Sequence, residues 1–400
     1  MKLKTLGLSL AVFPLFGNAL GDSQVANVLW EQDPATSQVT VTYDLGGADA
    51  AVVTLDVLTN GVSIGQANIT RTVGDCNRLV DPGTGKTIYW RPDYDWENHV
   101  FGEGEITCCV VAWPKWNPPD YMAVDLVYTN NVRYFTCAES VPGGVTNALY
   151  KTRYLLMRRI HAAGETFIMG TPVGEAFRDG TGWAQRTHLD ETPHPVSFTR
   201  DFYIGVYEVT KAQNAQLTAT APQTDMAPSN YTSWNTHSSK VTAFKDALGI
   251  DFAFPTEAQW EFACRAGTDT SVNDLSELDG AKSYSTKPSM MNEVAITAAD
   301  NGGGKAPVAV GQFKPNAWGL YDMHGNADEC CSDWVDTAKL SSVAVVDPAG
   351  LSSGSLKAVR GGVSYFWPTQ ARSGARYAIA PGENGAGLGF RMICPAKAVR

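Results

Sequence analysis

Fourteen consecutive residues decide the fold of this chain: Asn316-Ala317-Trp318-Gly319-Leu320-Tyr321-Asp322-Met323-His324-Gly325-Asn326-Ala327-Asp328-Glu329. They are followed by Arg360-Gly361-Gly362 and by Gly389-Phe390-Arg391. Glycines and short polar residues interrupt apolar ones here at intervals that match neither a helix nor a strand. We therefore expect irregular backbone, folded around an ion, in the last third of the chain.

The composition is that of a globular, acidic protein. Charged residues make up 18% and hydrophobic residues 44% of the 400 residues, and the net charge is −10. This length is typical of two domains. A protein that binds nucleic acid normally presents a basic face, so we expect no nucleic-acid partner.

The N-terminus has the pattern of an export signal. Lys2 and Lys4 precede an apolar run, Leu6–Phe16, that is too short to span a bilayer, and Ala19-Leu20-Gly21 offers small residues for cleavage. We predict a signal peptide at residues 1–21; the alternative is a buried N-terminal helix. No later run is long enough to cross a membrane. We therefore expect the mature protein to be secreted, periplasmic or on the cell surface, and not membrane-spanning.

Residues 22–138 predict an all-β sandwich domain of the immunoglobulin or fibronectin type III kind. Apolar and polar residues alternate in short runs, and Asn60-Gly61 is typical of a hairpin turn. The predicted strands are Val39–Tyr43, Val52–Val57, Ile106–Trp113 and Met122–Tyr128. Gly83-Thr84-Gly85-Lys86-Thr87 ends like a phosphate-binding loop, but Val80 stands where the first glycine of that motif belongs. We interpret these residues as a polar turn between strands.

A turn-rich linker, residues 139–149, leads to a second domain at residues 150–400, which we expect to be α+β. Leu155–Ile160 and Thr166–Gly170 predict a pair of strands at its start, and Val196–Tyr207 predicts a further strand region. The predicted helices are Lys211–Leu217, capped by Thr210, and Pro255–Arg265, in which Thr256 and Gln259 form a capping box.

The second domain resembles the formylglycine-generating enzyme family, also called sulfatase-modifying factors. The motifs that carry the resemblance follow one another along the domain. They are Phe167-Ile168-Met169-Gly170, Glu191-Thr192-Pro193-His194, Asp201 to Thr210, Phe254 to Glu261, Asn316 to Trp334, and the closing Gly389-Phe390-Arg391. The resemblance implies a variant of the C-type lectin fold, with a small α+β core and long irregular loops. The first domain lies outside the resemblance.

The resemblance implies structural calcium at two sites. In the first, Asp322 and Glu329 would supply carboxylates, and Gly325 and Ala327 would supply carbonyl oxygens; a hard cation takes oxygen ligands of this mixed kind. The alternative is a tight turn whose acidic side chains face solvent. The ligands of the second site would be Asn292, Glu293, Asp300 and Gly302. The spacing of this second set departs from the family pattern.

Eight cysteines, four in each half of the chain, fit an oxidising compartment. The pairing of the first four is left open; these are Cys76, Cys108, Cys109 and Cys137. In the second domain the resemblance implies a disulfide between Cys264 and Cys394. Cys330 stands where the family has a tryptophan. It and Cys331 are either core residues or a reactive vicinal pair.

The resemblance also shows what this chain lacks. Enzymes of the family oxidise a substrate cysteine to formylglycine with O₂ and a copper ion held by two cysteines, which should lie between Gly362 and Gly389. Residues 363–388 contain no cysteine, histidine or methionine, although Cu(I) needs soft ligands. We therefore expect neither a copper cofactor nor catalytic residues.

Aromatic and arginine side chains occupy that segment instead. Such residues anchor binding interfaces, and the segment corresponds to the ligand face of C-type lectin-like proteins. The predicted ligand-binding residues are Tyr365, Phe366, Trp367, Arg372, Arg376 and Tyr377. The alternative is structural: the rings belong to the core and the arginines hold loops.

Two functions follow. The favoured one is an exported, calcium-stabilised binding or scaffold protein that captures a protein or carbohydrate ligand and has no oxidase activity. The other is an enzyme, either an oxidase of the formylglycine-generating type or a divergent enzyme of that family.

Overall fold

The computed structural model describes residues 23–95, 101–102, 104–172, 186–218, 224–273, 293–296, 306–365 and 368–400. Contacts between Cα atoms divide the chain into two compact units. The first unit holds the described residues up to Val124, with Asn130–Asn147 and Ala396–Arg400; the second holds Asp125–Thr129 and Ala148–Pro395. The boundary between Asn147 and Ala148 therefore lies within the predicted linker. Contrary to the prediction, Asp125–Thr129 belongs to the second unit and Ala396–Arg400 belongs to the first.

The first unit is built mainly of strands. Its elements are β1 (Gln24–Gln32), β2 (Val39–Gly46), β3 (Ala51–Thr59), β4 (Val62–Ser63), β5 (Thr72–Gly74), β6 (Arg78–Val80), β7 (Gly83–Trp90), α1 (Pro92–Asp95), β8 (Ile106–Pro114), β9 (Tyr121–Asp125) and β10 (Val132–Phe135). One sheet has the order β1-β2-β7-β5, and another has the order β4-β3-β6, with β8 also paired to β3. β9 and β10 form an antiparallel pair.

The two larger sheets of the first unit share one apolar core. Alternate residues of β2, such as Val39 and Val41, are buried in the same cluster as residues of β3, β7 and β8. Cys108 is buried whereas Cys109 is half-buried, as expected for neighbours on opposite faces of a strand. The unit is thus rich in β-structure, as predicted. Its assignment to the immunoglobulin or fibronectin kind stays a prediction.

The residues that end like a phosphate-binding loop belong to a strand. Lys86 lies opposite Tyr43 in the antiparallel pairing of β7 with β2. The interpretation of Gly83–Thr87 as a turn is therefore wrong. The turn prediction at Asn60-Gly61 is confirmed, because both residues have positive φ, 50° and 78°, and they join β3 to β4.

The second unit combines short sheets, three α-helices among its described residues, and long loops. Its strands are β11 (Tyr154–Ile160), β12 (Thr166–Met169), β13 (Thr187–His188), β14 (His194–Ser197), β15 (Phe202–Gly205), β16 (Ala295–Ile296), β17 (His324–Gly325), β18 (Asp328–Val335), β19 (Val345–Val346), β20 (Leu356–Arg360), β21 (Tyr377–Ile379), β22 (Leu388–Gly389) and β23 (Ile393–Pro395). Its helices are α2 (Lys211–Thr218), α3 (Trp234–Leu248) and α4 (Glu257–Arg265). The sheet orders are β11-β15-β23, β12-β14-β19, β13-β21-β20-β18-β22 and β16-β17. The expected pairing of β11 with β12 is wrong, since β11 pairs with β15 and β12 with β14.

Helix α4 lies at the centre of the second unit. Its predicted capping box is confirmed: Thr256 accepts a hydrogen bond from the N–H of Gln259, whose side chain accepts one from the N–H of Thr256. Trp260 and Ala263 are fully buried in the main apolar cluster of this unit. The helix contacts β12, β18 and β20, and so packs on strands of two different sheets. Among the described residues, no helix is long and apolar enough to cross a membrane.

Candidate functional site

The loop that decided the fold is tied to the end of α4 by one side chain. Asn316 accepts a hydrogen bond from the N–H of Trp318 (3.0 Å) and donates one to the carbonyl of Ala263 (2.7 Å). Asp322 and Asn326 have positive φ, 58° and 69°, a conformation that Asp and Asn tolerate better than most residues. Residues 316–323 are therefore irregular as the sequence predicts, whereas His324–Gly325 and the last two residues of the run belong to β17 and β18.

Two buried carboxyl groups of this run, Asp322 and Glu329, lie near a third, Glu208; the three are called the acidic cluster below. Glu208 accepts hydrogen bonds from the N–H of Ala327 (2.9 Å) and the amide of Asn326 (2.7 Å). Burial, reinforced by Asp322 and Glu329, raises the pKa of Glu208 well above its usual value. Burial also raises the pKa of Asp322. Both shifts favour the protonated form of these two groups, because burial and neighbouring carboxylates disfavour ionisation.

Arg391 is the guanidinium that faces the acidic cluster. It lies 2.7 Å from Oε1 of Glu329 and donates to the carbonyls of Gly205 and Tyr321, each at 2.8 Å. The indole N–H of Trp260 donates to Oε2 of Glu329 at 2.7 Å. Both oxygens of Glu329 are therefore engaged.

Further buried ion pairs connect α4 to the segment that follows β20. Arg360 donates to Glu257 (2.8 Å) and to Glu261 (2.7 Å), while Arg376 also donates to Glu257 (2.8 Å). Burial alone would raise the pKa of Glu257, but Arg376 and Arg360 outweigh it and hold the pKa at about 2. These contacts fix the start and the middle of residues 363–388, the segment that the sequence singled out.

The structure corrects the predicted ligand surface. Arg372 is buried and pairs with Glu191 at 3.0 Å, Arg376 is bound to Glu257, and Tyr377 is buried on β21. These three side chains lie inside the fold. They therefore have the structural role that was the alternative to ligand binding. Tyr365 is half-buried, whereas Phe366 and Trp367, also predicted to bind ligand, lie outside the described residues.

Comparison with known proteins identifies the family of the second unit. The profile of the sulfatase-modifying factor enzyme 1-like domain matches residues 158–396, more than half of the chain. The chain belongs to this family. It is 32% identical over 141 residues to the formylglycine-generating enzyme of Bos taurus, covering 34% of this chain and 37% of that protein. It is 32% identical over 171 residues to the enzyme of Streptomyces coelicolor, covering 41% and 51%.

The matches to these enzymes thus span about half of their length or less. Among solved structures, variable protein 1 of Treponema denticola aligns with 60% of this chain and 95% of its own, with a TM-score of 0.49 and 21% identity.

The first calcium site that the family implies can be tested against the contacts above. Asp322 is buried and accepts a hydrogen bond from the N–H of Gly311 at 2.6 Å. The carbonyls of Gly325 and Ala327 belong to the same loop. Glu329 would have to release Arg391 or Trp260 to bind an ion. The donor set therefore fits a hard cation at Asp322 better than at Glu329.

Only one residue of the second implied calcium site can be placed. Asn292, Asp300 and Gly302 lie outside the described residues. Glu293 is exposed, its carboxylate pairs with Lys314, and its carbonyl accepts the N–H of Lys314 at 2.7 Å. In the described part of the chain, no group of three or more His, Cys, Asp or Glu side chains is arranged to hold a metal ion. Neither predicted site requires such a group of side chains.

The disulfide that the family implies is absent. All eight cysteines are free thiols. The thiol of Cys264 faces the carbonyl of Met323 at 3.7 Å and the hydroxyl of Ser373 at 3.9 Å, whereas Cys394 lies on β23. Burial raises the pKa of Cys264 to about 12 and raises those of Cys330 and Cys331 well above the usual value. The vicinal cysteines are therefore core thiols, protonated at neutral pH, rather than a reactive pair.

Sequence reasoning missed three charged residues of this region. Glu208 joins the acidic cluster, and Arg186 pairs with Asp328 at 2.8 Å. Lys357 is buried with its ammonium 3.9 Å from the ring centre of Trp334. A single charge inside an otherwise apolar run, as at Glu208, is the signal that could have revealed such buried groups.

Proposed function

We propose that this protein is an exported, calcium-stabilised binding or scaffold protein of the family, without copper-dependent oxidase activity. The observation that carries the proposal is the chemistry of residues 363–388, which contain no thiol, imidazole or thioether. Cu(I) is held by soft ligands. The arginines at this position serve the fold, and none is a substitute for a metal ligand.

The remaining thiols of the second unit support the same proposal. Cys264, Cys330, Cys331 and Cys394 are all buried. Burial is the largest effect on each of these thiols and raises every pKa. A thiolate, not a thiol, binds a metal or attacks a substrate, so these groups are poorly suited to replace the missing copper ligands.

The proposed ligand face lies around Tyr365, beside Tyr231. Tyr231 is 53% exposed and has a positive φ of 61°, which is rare for a bulky residue. Burial raises the pKa of Tyr365, and Asp328 and then Tyr231 raise it further, which places Tyr231 near Tyr365. Strained, exposed aromatic residues are typical of binding surfaces. The ligand that we propose is a protein or a carbohydrate.

The deciding experiment has two arms. Purified protein is titrated with Cu(I) and then incubated under O₂ with a cysteine peptide of the sulfatase type, with the Streptomyces coelicolor enzyme as positive control. We expect neither tight copper binding nor an aldehyde product. In the second arm, an array of glycans and surface proteins is probed with wild type and with Tyr231→Ala, and we expect a signal that the variant loses.

The oxidase remains the second candidate, because the curated relatives at 32% identity are formylglycine-generating enzymes. Aldehyde formation that depends on added copper would establish it and end the first proposal.

Removal of calcium is expected to destabilise the second unit. Free calcium at about 100 times its dissociation constant stabilises the folded state by about 2.7 kcal/mol. Removing it with EDTA should therefore lower Tm by roughly 5–10 °C. Thermal melts followed by circular dichroism in Ca²⁺ and in EDTA measure it. Asp322→Asn is the matched control, since it should melt at the same temperature in both. Coincident wild-type melts would exclude structural calcium.

A further inference from the structure

A cavity of about 720 Å³ lies in the second unit, and its lining includes no residue of the acidic cluster or of the proposed ligand face. Its floor is aromatic: the ring centre of Phe262 lies 5.2 Å from that of Phe167 and 5.0 Å from that of Trp318. Its rim is polar and includes Arg158 and Asp269. Neither the family resemblance nor the proposed function assigns it a role.

One wall of the cavity is the edge of a sheet. β12 pairs with β14, and in the order β12-β14-β19 it is the outer strand. Among the described residues it has no second strand neighbour. Thr166, Phe167 and Ile168 of this strand line the cavity, and Ile168 is 52% exposed.

The direction of the backbone groups on β12 follows from its neighbours. The carbonyl of Ser197 on β14 accepts the N–H of Asp347. The backbone N–H and C=O of Ser197 therefore point towards β19, and those of the adjacent Val196 point towards β12. Val196 lies opposite Phe167. Successive residues of a strand point their N–H and C=O groups to opposite edges, so those of Thr166 and Ile168 point to the open edge.

A contact beyond the end of β12 agrees with this direction. The N–H of Gly170, two residues after Ile168, donates to Glu261 of α4 at 2.8 Å, and its carbonyl accepts from Arg265 at 2.7 Å. The groups of Gly170 are thus engaged by α4, on the side of β12 that lines the cavity with Phe262 and Arg265. Those of Ile168 open into the cavity.

We propose that the cavity binds an extended segment of a partner polypeptide, which adds as a strand to β12. An open row of main-chain donors and acceptors is satisfied by another extended backbone, and the aromatic floor takes alternate apolar side chains. Two of the three arginines in the lining, Arg159 and Arg265, are already paired with carboxylates of the fold, so the segment is recognised through its backbone and not through charge. It places apolar residues on Phe167, Phe262 and Trp318. This site is independent of the ligand face around Tyr365.

The test is selection of a phage-displayed library of random dodecapeptides on the full-length protein, followed by fluorescence anisotropy of the enriched peptide. The key variant is Ile168→Pro, which removes the N–H at the open edge and leaves the β12–β14 ladder intact, because proline is accepted on that side of an edge strand. Ile168→Ala is the control: it shortens the side chain and keeps the N–H. We expect binding about tenfold weaker for the proline variant and within about threefold of wild type for the alanine variant.

A second measurement needs no variant. The alternate backbone amides of the enriched peptide form two sets. N-methylation of the set that faces β12 should abolish binding, and N-methylation of the other set should leave it unchanged. The backbone amide hydrogen of Ile168 should also exchange with solvent more slowly in the complex. The proposal is overturned if no peptide is enriched, or if methylation of both sets and Ile168→Pro leave binding unchanged. It is also overturned if soluble oligosaccharides displace the peptide, or if the edge is covered by a second copy, seen as a dimer that Ile168→Pro dissociates.

Discussion

Replacing Arg391 by methionine is expected to lower the free energy of unfolding of the second unit by about 3–5 kcal/mol, the usual cost of breaking a buried ion pair. The guanidinium is fully buried and is bound to Glu329 and to the carbonyls of Gly205 and Tyr321. Without it, the three carboxyl groups of the acidic cluster lose their nearest cation. Urea unfolding, followed by circular dichroism, measures the effect.

Two control variants identify the cause of that loss. Arg391→Lys keeps the charge but loses the forked geometry, so its stability should lie between those of wild type and Arg391→Met. Arg78→Met breaks an exposed pair with Asp75 in the first unit, and should cost less than about 1 kcal/mol. An Arg391→Met protein as stable as wild type would show that the acidic cluster does not depend on this arginine.

Replacing Glu191 by glutamine is expected to cost a similar amount at neutral pH, and the cost should shrink in acid. Burial alone would raise the pKa of Glu191, but hydrogen bonds and charge from His188 and Arg372 outweigh it and hold the pKa at about 2. The usual value of 4.5 applies to the unfolded chain. The ionised carboxylate therefore stabilises the fold above about pH 4.5, and this stabilisation is lost as the pH falls towards 2.

The measurement is the free energy of unfolding of wild type and Glu191→Gln at pH 5.5, 4.5, 3.5 and 2.5. Between pH 4.5 and 2.5 the stability of wild type should fall more steeply than that of the variant, by up to about 1.4 kcal/mol per pH unit. Arg372, left buried without its carboxylate, adds a cost to the variant that does not depend on pH. Glu383→Gln, at an exposed position, should follow wild type. Parallel curves for wild type and Glu191→Gln would contradict the assignment.

Local patterns predicted local structure well. Thr256 and Gln259 form the capping box that their spacing indicated, and the run from Asn316 to Met323 is irregular as expected. Helix α3 was missed although His237, Val241, Phe244 and Leu248 are buried at helical spacing, because Ser, Thr and Asn fill the intervening positions and weaken the apolar pattern. Local signals therefore fail where polar residues dilute the periodicity.

Pairing over long distances was the part that the sequence could not supply. β11 and β12 are neighbours in the chain but belong to different sheets, because each finds a better partner further on. Arg372 and Arg376 looked like surface anchors, since nothing near them in sequence reveals Glu191 or Glu257. The family pattern also misled at Cys264 and Cys394, whose thiols are directed to different surroundings.

The buried ion pairs join residues that are far apart in the chain: Glu329 and Arg391 are separated by 62 positions, Glu257 and Arg376 by 119, and Glu191 and Arg372 by 181. None of these charges can be matched until a long intervening stretch has been brought back, and such non-local closure is slow. During synthesis, these arginines and glutamates should consequently remain unpaired for a long time before the tertiary structure forms. In the folded protein, the loops between the paired residues can vary in length during evolution without disturbing the ion pairs.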